Sequence, residues 1–194
     1  MTAQTFSGLG VSEVVVAALQ RRGITAPFPI QALVMADALA GRDVLARSRT
    51  GSGKTLAFGI PLVERLTASD RRPSGLVLVP TRELAAQVVE DITDVARSRG
   101  LHVAAAYGGV SIREQGRAVS KADILVATPG RLEALATRRL VDLAGVRILV
   151  LDEADRMLDM GFQPQVDKLV RRIPRSRQTM FFSATLDGEV GRLA

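Results

Sequence analysis

The sequence contains no cysteine and no tryptophan, and it has a single histidine, His102. The absence of cysteine excludes disulfide bonds and thiolate metal sites. No apolar run approaches the roughly 20 residues that a membrane-spanning helix needs, and no charged segment followed by an apolar one opens the chain as in a secretion signal. We therefore expect a cytoplasmic protein, and we interpret His102, at the start of an apolar segment, as structural.

Lysine is also scarce, because only three of the 26 basic residues are lysine. The net charge is nevertheless +6, and arginine is the side chain whose planar guanidinium best fits phosphate. A basic domain favours an anionic partner such as nucleic acid. A compositional preference for arginine would give the same count, so charge alone leaves both interpretations open.

Apolar segments alternate with helical patterns along the chain. Strands are predicted at 43–46, 75–79, 103–106, 124–127, 147–151 and 179–182, and helices at 12–22, 30–40, 54–66, 82–97 and 129–137. This alternation predicts an α/β fold with a mostly parallel sheet and helices on both faces, so ligands should bind at the carboxyl ends of the strands. A length of 194 residues suits one domain. The polar stretch at 69–74 is predicted to be a flexible surface loop, and 188–194 the start of a helix.

A glycine-rich turn before the third predicted helix has the character of a phosphate-binding loop. Its glycines let successive backbone N–H groups face phosphate oxygens, while lysine supplies a cation and threonine a hydroxyl for Mg²⁺. The usual pattern, G-x-x-x-x-G-K-[ST], has glycine at the first position, and Gly-Lys-Thr also occurs in ordinary turns. We expect Lys54 at a phosphate site rather than in the core. The candidate nucleotide-binding residues here are Ser48, Arg49, Thr50, Gly51, Ser52, Gly53, Lys54 and Thr55.

Three acids follow the apolar run at 148–151, namely Asp152, Glu153 and Asp155. At the tip of a buried parallel strand, Asp152 would hold Mg²⁺ through water, and Glu153 would orient or deprotonate the attacking water. The candidate catalytic residues are therefore Glu153, Lys54 and Asp152, and the candidate metal ligands are Thr55 and Asp152. Capping of the next helix would explain any one of these acids, but not their position after a strand paired with a phosphate loop.

Residues 152–162 (DEADRMLDMGF) resemble the signature of the DEAD-box family of ATP-dependent RNA helicases. Further blocks resemble motifs of that family in the expected order: the Q motif (27–31, PFPIQ), motif I (48–55), motif Ia (80–85, PTRELA), the glycine doublet (108–109), motif Ib (128–131, TPGR) and motif III (183–185, SAT). The resemblance covers essentially the whole chain. It implies a RecA-like P-loop domain that uses ATP and Mg²⁺ and binds RNA.

The Q-motif resemblance assigns adenine recognition to Gln31, whose amide both donates and accepts hydrogen bonds. Phe6 is a candidate ring for stacking on the base, and an N-terminal aromatic packed on the core is the alternative. Two positions depart from the family. Ser48 stands where the family usually has alanine, and Phe28 stands where it usually has threonine, which removes a hydroxyl that could support the phosphate loop.

Loops at the same predicted sheet edge resemble the RNA-binding motifs. Helix N-termini there would bind backbone phosphates without reading bases, so recognition should be independent of base sequence and include 2′-hydroxyls. Ordinary helix capping is the alternative for either loop alone. The candidate RNA-binding residues are Pro80, Thr81, Arg82, Gly108, Gly109, Thr128, Pro129, Gly130 and Arg131.

The resemblance also has implications beyond this chain. Nothing after residue 185 resembles the His-Arg-x-Gly-Arg block of the family's second RecA-like domain, which carries the arginine finger. We expect a Q-motif region at 1–32 packed on a RecA-like domain at 33–194, with the second domain elsewhere in the full-length protein and little activity without it. Ser183 and Thr185 are expected to hydrogen-bond Asp155 and couple the two ligands.

Two other functions stay open on the sequence. One is a P-loop enzyme of another class, such as a small kinase or GTPase, which nucleotide competition would distinguish. The other is a module that holds RNA or a protein without turnover, which ATPase assays with and without RNA would distinguish.

Overall fold

The structure is a computed structural model that describes residues 4–49 and 51–185. A six-stranded, fully parallel sheet lies at its centre. In chain order the strands are β1 (Val44–Arg47), β2 (Gly75–Leu78), β3 (Val103–Ala106), β4 (Ile124–Ala127), β5 (Ile148–Asp152) and β6 (Gln178–Ser183). Their order in the sheet is β1-β6-β5-β2-β4-β3. The predicted α/β fold with a parallel sheet is confirmed.

Eight α-helices and two short 3₁₀ turns connect the strands within the described residues. The turns are Ser7–Leu9 and Leu143–Gly145. The helices are α1 (Glu13–Arg21), α2 (Pro29–Leu39), α3 (Lys54–Arg65), α4 (Arg82–Ser98), α5 (Ile112–Val119), α6 (Pro129–Thr137), α7 (Ala154–Asp159) and α8 (Gln163–Val170). The helix predicted at 188–194 lies outside the described residues.

The central strands are apolar on both faces, because alternate residues enter two separate cores. On β2, Val77 belongs to one core, whereas Leu76 and Leu78 belong to the other. The first core is covered by α1 to α4, and Phe58 of α3 meets Phe182 of β6 there with ring centroids 5.5 Å apart. The second core is covered by α5 to α8. Burial on both faces explains why these strands are continuous apolar runs in the sequence.

Most predicted boundaries differ from the observed ones by a single residue, because cap residues look helical or extended in the sequence. Ser12 and Arg22 flank α1 as its caps. Asp43 was predicted to begin the first strand, but β1 begins at Val44. The Oδ1 atom of Asp43 instead accepts a hydrogen bond from the Thr179 N–H at 2.7 Å, so its side chain links the starts of the two paired strands.

The polar stretch at 69–74 is a loop, as predicted, and its second half is anchored to the domain by hydrogen bonds and burial. Ser74 is fully buried. Arg72 Nε lies 2.7 Å from Asp123 Oδ1, and that carboxylate is itself almost completely buried. The main-chain N–H of His102 donates to Asp123 Oδ2 at 2.8 Å, whereas the His102 side chain is 72% exposed, so the structural interpretation of this histidine stays a prediction.

Candidate nucleotide-binding site

The sheet order brings the predicted functional segments together. Strand β6 lies between β1, which precedes the phosphate loop, and β5, which ends in Asp152. All three strands are parallel, so their carboxyl ends lie at one edge of the sheet. The main-chain N–H of Ser48 donates to the Ser183 carbonyl at 2.8 Å, which joins the start of the loop to the end of β6.

The phosphate loop curls through two glycines with positive φ. Gly51 has φ +80°, and Gly53, the N-cap of α3, has φ +85°. A side chain at Gly53 would place its Cβ 2.7 Å from the Phe28 ring and 2.8 Å from the Gln31 amide nitrogen, so this position accepts only glycine. The Ser48 and Ser52 hydroxyls are hydrogen-bonded across the loop. Thr50 lies outside the described residues.

Lys54 forms a buried ion pair with the acids at the end of β5. Its Nζ lies 3.1 Å from Asp152 Oδ1 and 3.9 Å from Glu153 Oε1, and the Lys54 side chain is only 8% exposed. Lysine was expected at a phosphate site rather than in the core. The structure places it below the surface, at the start of α3 and in an ion pair with these acids. Burial raises the pKa of the Asp152 carboxyl above its usual value, and the charge of Lys54 opposes that rise.

Glu153 has an unusual backbone conformation. Its φ of 52° and ψ of 49° are left-handed, a region that residues other than glycine adopt rarely and at a cost. Glu153 is the N-cap of α7, yet its side chain makes no capping hydrogen bond. Instead, Oε1 faces Lys54, and Oε2 accepts a hydrogen bond from Arg156 Nη1 at 3.3 Å. Helix capping therefore does not explain this carboxylate.

Gln31 connects the Q-motif segment to the phosphate loop. Its Nε2 donates to the Gly53 carbonyl at 2.9 Å, and its Oε1 accepts from the Phe28 N–H at 2.9 Å. Gln31 is fully buried. Each of the two amide atoms keeps one further hydrogen-bonding position, so contact with adenine stays a prediction. That contact requires the side chain to become accessible.

Phe6 lies in the core, whereas Phe28 lies exposed beside the phosphate loop. Phe6 is 2% exposed and lies in the first core, so its ring has no free face for a base. The alternative, an aromatic packed on the core, is correct for this structure. Phe28 is 55% exposed, and its ring lies against Gly53. In the sequence, Phe28 stands out only for the hydroxyl that it lacks. Its position three residues before Gln31 is the one signal that it lies next to that side chain.

Asp155, Ser183 and Thr185 meet beside the acidic strand end, but their hydrogen bonds differ from the expected hydroxyl-to-carboxylate bonds. The Ser183 hydroxyl accepts from the main-chain N–H of Asp155 at 3.2 Å. The Asp155 carboxylate accepts from the main-chain N–H groups of Ala184 and Thr185, at 3.2 and 3.3 Å. Thr185 thus takes part through its backbone.

The predicted RNA-binding loops surround two neighbouring depressions on the same side of the domain. The first, of about 430 Å³, is lined by residues of four segments: Pro80, Thr81, Arg82, Glu83, Gly108, Gly109, Thr128, Met160 and Phe162. The second, of about 530 Å³, shares Gly108 and adds Gly130 and Arg131. Pro129, the first residue of α6, is buried beside them. Met160 and Phe162 were not predicted, since apolar residues after the acidic motif resemble ordinary core positions.

Some of the charged and capping groups of these loops already have partners within the protein. The Thr81 hydroxyl caps α4 by accepting from the Leu84 N–H at 3.2 Å, whereas Thr128 makes no side-chain cap. Arg82 is paired with Glu83 at 2.7 Å, and Arg131 donates to the Val110 carbonyl at 2.9 Å. The capping alternative thus holds for Thr81 and not for Thr128.

Comparisons with known proteins decide the family. Residues 28–193 match the DEAD/DEAH box helicase family. The chain belongs to this family. DEAD-box ATP-dependent RNA helicase 52A of Oryza sativa subsp. japonica is 46% identical, and the alignment covers 99% of this chain and 35% of that protein. DEAD-box ATP-dependent RNA helicase 3A, chloroplastic, of Zea mays is 46% identical over 96% of this chain and 26% of that protein.

Solved structures agree with this assignment to the DEAD-box family. The crystal structure of a DEAD box protein from the hyperthermophile Methanococcus jannaschii matches with a TM-score of 0.94 at 37% identity, over 98% of this chain and 52% of that one. The chain therefore corresponds to the RecA-like ATP-binding domain of DEAD-box proteins. It spans about a third or less of the length of the two plant helicases. None of its described helices is long and apolar enough to cross a membrane.

Proposed function

We propose that this domain is the ATP- and RNA-binding half of a DEAD-box RNA helicase, in which ATP hydrolysis is coupled to unwinding of RNA duplexes. The observation that carries the proposal is the Lys54 ammonium, 3.1 Å from Asp152 Oδ1 and directly behind a glycine-rich loop. A lysine held by carboxylates at the start of a helix can exchange those partners for phosphate oxygens.

The residues of the loop fit a nucleotide triphosphate. Gly53 cannot carry a Cβ, because Phe28 and Gln31 occupy that space. Backbone N–H groups of the loop would hold phosphate oxygens, and Lys54 would neutralise the β- and γ-phosphates. Gln31 would recognise the adenine edge.

A Mg²⁺ ion at this site would need only a few protein ligands. The described residues contain no cluster of three or more His, Asp or Glu side chains able to hold a metal by themselves. Mg²⁺ usually keeps several waters and binds one or two carboxylates together with substrate phosphates. The Thr55 hydroxyl and the Asp152 carboxylate would complete such a site, and the ion would neutralise charge on the phosphates. Glu153 would orient the attacking water and accept its proton.

RNA would bind across the loops of α4 and α6. The two neighbouring depressions are bordered by Arg82 and Arg131, and the exposed Gly108 and Gly109 leave their backbone groups accessible to a sugar-phosphate chain. The contacts would be to phosphates and 2′-hydroxyls, and therefore independent of base sequence. A second RecA-like domain of the full-length protein would be the other partner. A cytoplasmic location is part of the proposal, to be tested with a tagged full-length protein.

The test is nucleotide binding by the 194-residue chain. A fluorescent ADP analogue should be displaced by ATP more effectively than by GTP, and Lys54→Ala should abolish most of the binding. Lys121→Ala is the matched control, because it removes the same charge from an exposed position. Equal displacement by GTP would contradict the adenine assignment. Unchanged ATP affinity in Lys54→Ala would contradict the assignment of the phosphate loop.

A further inference from the structure

Arg156 of α7 forms an ion pair with the acid that we assign to the attacking water. Its Nη1 donates to Glu153 Oε2 at 3.3 Å. Both side chains line one cavity of about 340 Å³, together with Lys54. Arg156 was not among the candidate site residues, although it directly follows the acidic motif in the sequence.

An ordinary ion pair on the surface of a helix is the alternative explanation, and such pairs contribute little to stability. The two partners here differ in burial, because the Arg156 side chain is 58% exposed and the Glu153 side chain only 11%. In the part of the chain that the structure describes, Arg156 pairs with this buried acid three residues before it rather than with the exposed Asp159 three residues after it. A surface pair would use the exposed acid.

The ion pair distinguishes the two oxygens of the Glu153 carboxylate. Arg156 holds Oε2, whereas Oε1 faces Lys54 at 3.9 Å. The terminal torsion of a glutamate side chain is broad, so a hydrogen bond to one oxygen restricts where the other oxygen points. Arg156 therefore helps to keep Oε1 on the side of the lysine that we assign to the phosphates.

Arg156 is anchored independently of the phosphate loop. The Asp155 carboxylate accepts from the Arg156 main-chain N–H at 3.0 Å and from the Ala184 main-chain N–H, after β6, at 3.2 Å. In the proposed function, Lys54 exchanges its carboxylate partners for phosphate oxygens, and Oε1 of Glu153 becomes available to water. The ion pair at Oε2 can persist during this exchange, because Arg156 belongs to α7 and not to the loop.

We propose that Arg156 is a positioning residue for ATP hydrolysis, which holds Glu153 Oε2 so that Oε1 faces the attacking water. The inference rests on the proposed function. In the step concerned, water gives a proton to Oε1, its oxygen bonds to the γ-phosphorus, and the bond from that phosphorus to the bridging oxygen of ADP breaks. A base must lie within hydrogen-bond reach of the proton that it accepts, so a misdirected carboxylate slows the step. Arg156 acts through Glu153, and ATP binding does not require it.

The experiment is steady-state ATPase of the full-length protein at saturating RNA, for the parent, Arg156→Gln and Arg156→Lys. Arg156→Gln should lower kcat by about tenfold and leave KM for ATP unchanged, because one charge-assisted hydrogen bond to the base is lost. Arg156→Lys should recover part of the rate, since it returns a cation beside the carboxylate. A merely structural role at the start of α7 would instead disturb the Lys54 and Asp152 pair and raise KM.

Arg171→Gln is the matched control, since it removes an arginine charge from an exposed position outside this cavity. An unchanged kcat in Arg156→Gln, an equal fall in Arg171→Gln, a rise in KM that matches the fall in kcat, or no recovery in Arg156→Lys would overturn the proposal. Glu153→Gln, measured in parallel, separates this failure from failure of the proposed function. Retained turnover in Glu153→Gln would remove the base itself, whereas an inactive Glu153→Gln beside an unchanged Arg156→Gln would remove only the positioning role.

Discussion

Gln31 Nε2 donates a hydrogen bond of 2.9 Å to the carbonyl of Gly53, the residue immediately before the lysine of the phosphate loop. The same amide accepts from the Phe28 N–H. The Q-motif segment therefore restrains the loop directly, before any contact with a base is considered. This relationship adds a second role to a residue that the sequence assigned to adenine recognition alone.

Gln31→Ala should weaken the binding of ATP and also of inorganic triphosphate, which has no base. The loss of affinity that is common to ATP and inorganic triphosphate comes from the loop. The loop loses a hydrogen bond worth about 1 kcal/mol, which corresponds to a several-fold change in affinity. An additional loss for ATP, of roughly 1–3 kcal/mol, would come from adenine and narrow its advantage over GTP. Calorimetric titration measures all three ligands. Unchanged affinity for inorganic triphosphate would exclude the restraint of the loop.

Lys54→Ala should destabilise the nucleotide-free domain in a pH-dependent way. Removing one partner of a buried ion pair costs on the order of 3 kcal/mol near neutral pH. Without Lys54, the pKa of Asp152, already raised by burial, rises further. A raised folded pKa favours the protonated carboxyl. The contribution of Asp152 to the stability of the variant is therefore fully present below its unfolded pKa of about 4 and is lost as the pH rises through its folded pKa.

The measurement is the melting temperature of parent and variant at several pH values. The melting temperature of Lys54→Ala should fall further below that of the parent at about pH 8 than at about pH 5. Adding Asp152→Asn to Lys54→Ala should remove this pH dependence, because the titrating group is gone. A deficit that is constant with pH would show that Asp152 does not titrate as its burial indicates.

Glu153→Gln should keep ATP binding and lose hydrolysis in the full-length protein. The substitution removes the proton-accepting carboxylate but preserves the shape of the side chain. The full-length protein is needed, because an arginine finger from a second domain contributes about 10³–10⁵ in rate in related phosphate chemistry. Steady-state ATPase and ATP affinity are compared with those of Asp159→Asn, an exposed acid nearby. Retained turnover in Glu153→Gln would exclude Glu153 as the base.

Ser183→Ala should harm unwinding more than ATPase in the full-length protein. It removes the hydroxyl that accepts from the Asp155 N–H and so loosens the junction between β6 and α7. Thr185→Ala is the matched control, because Thr185 contacts Asp155 through its main chain. Duplex displacement and ATPase are measured for both variants. Equal loss of the two activities in Ser183→Ala, or an equal effect of Thr185→Ala, would contradict this coupling role.

The sequence predicted well those features that depend on local pattern. The central strands β2, β4 and β5 were found because burial on both faces makes them continuous apolar runs. Helices α5, α7 and α8 were not predicted, since eight, six and eight residues are too few to show a clear helical period. Asp43 was wrongly predicted to belong to the first strand. Its side chain accepts a hydrogen bond from the Thr179 N–H, and a contact between segments so far apart in the chain leaves no signal in the local sequence.

Local sequence pattern also predicted only part of the candidate site. Lys54 and Asp152 were identified from their motifs, but their burial as a pair depends on the position of β6 between two other strands. The burial of Phe6 and the exposure of Phe28 depend on tertiary packing as well. Nothing in the local sequence distinguishes a phenylalanine that enters the core from one that lies on Gly53.

The position of β6 has a consequence for how the domain assembles. Among the described strands, β1 pairs only with β6, the last strand in the chain. During synthesis, the segment that carries the phosphate loop therefore has no strand partner until residue 183 has left the ribosome. The two segments proposed to hold nucleotide therefore become neighbours only after β6 has been synthesised, so we expect a nascent chain to gain nucleotide binding late in the synthesis of this domain.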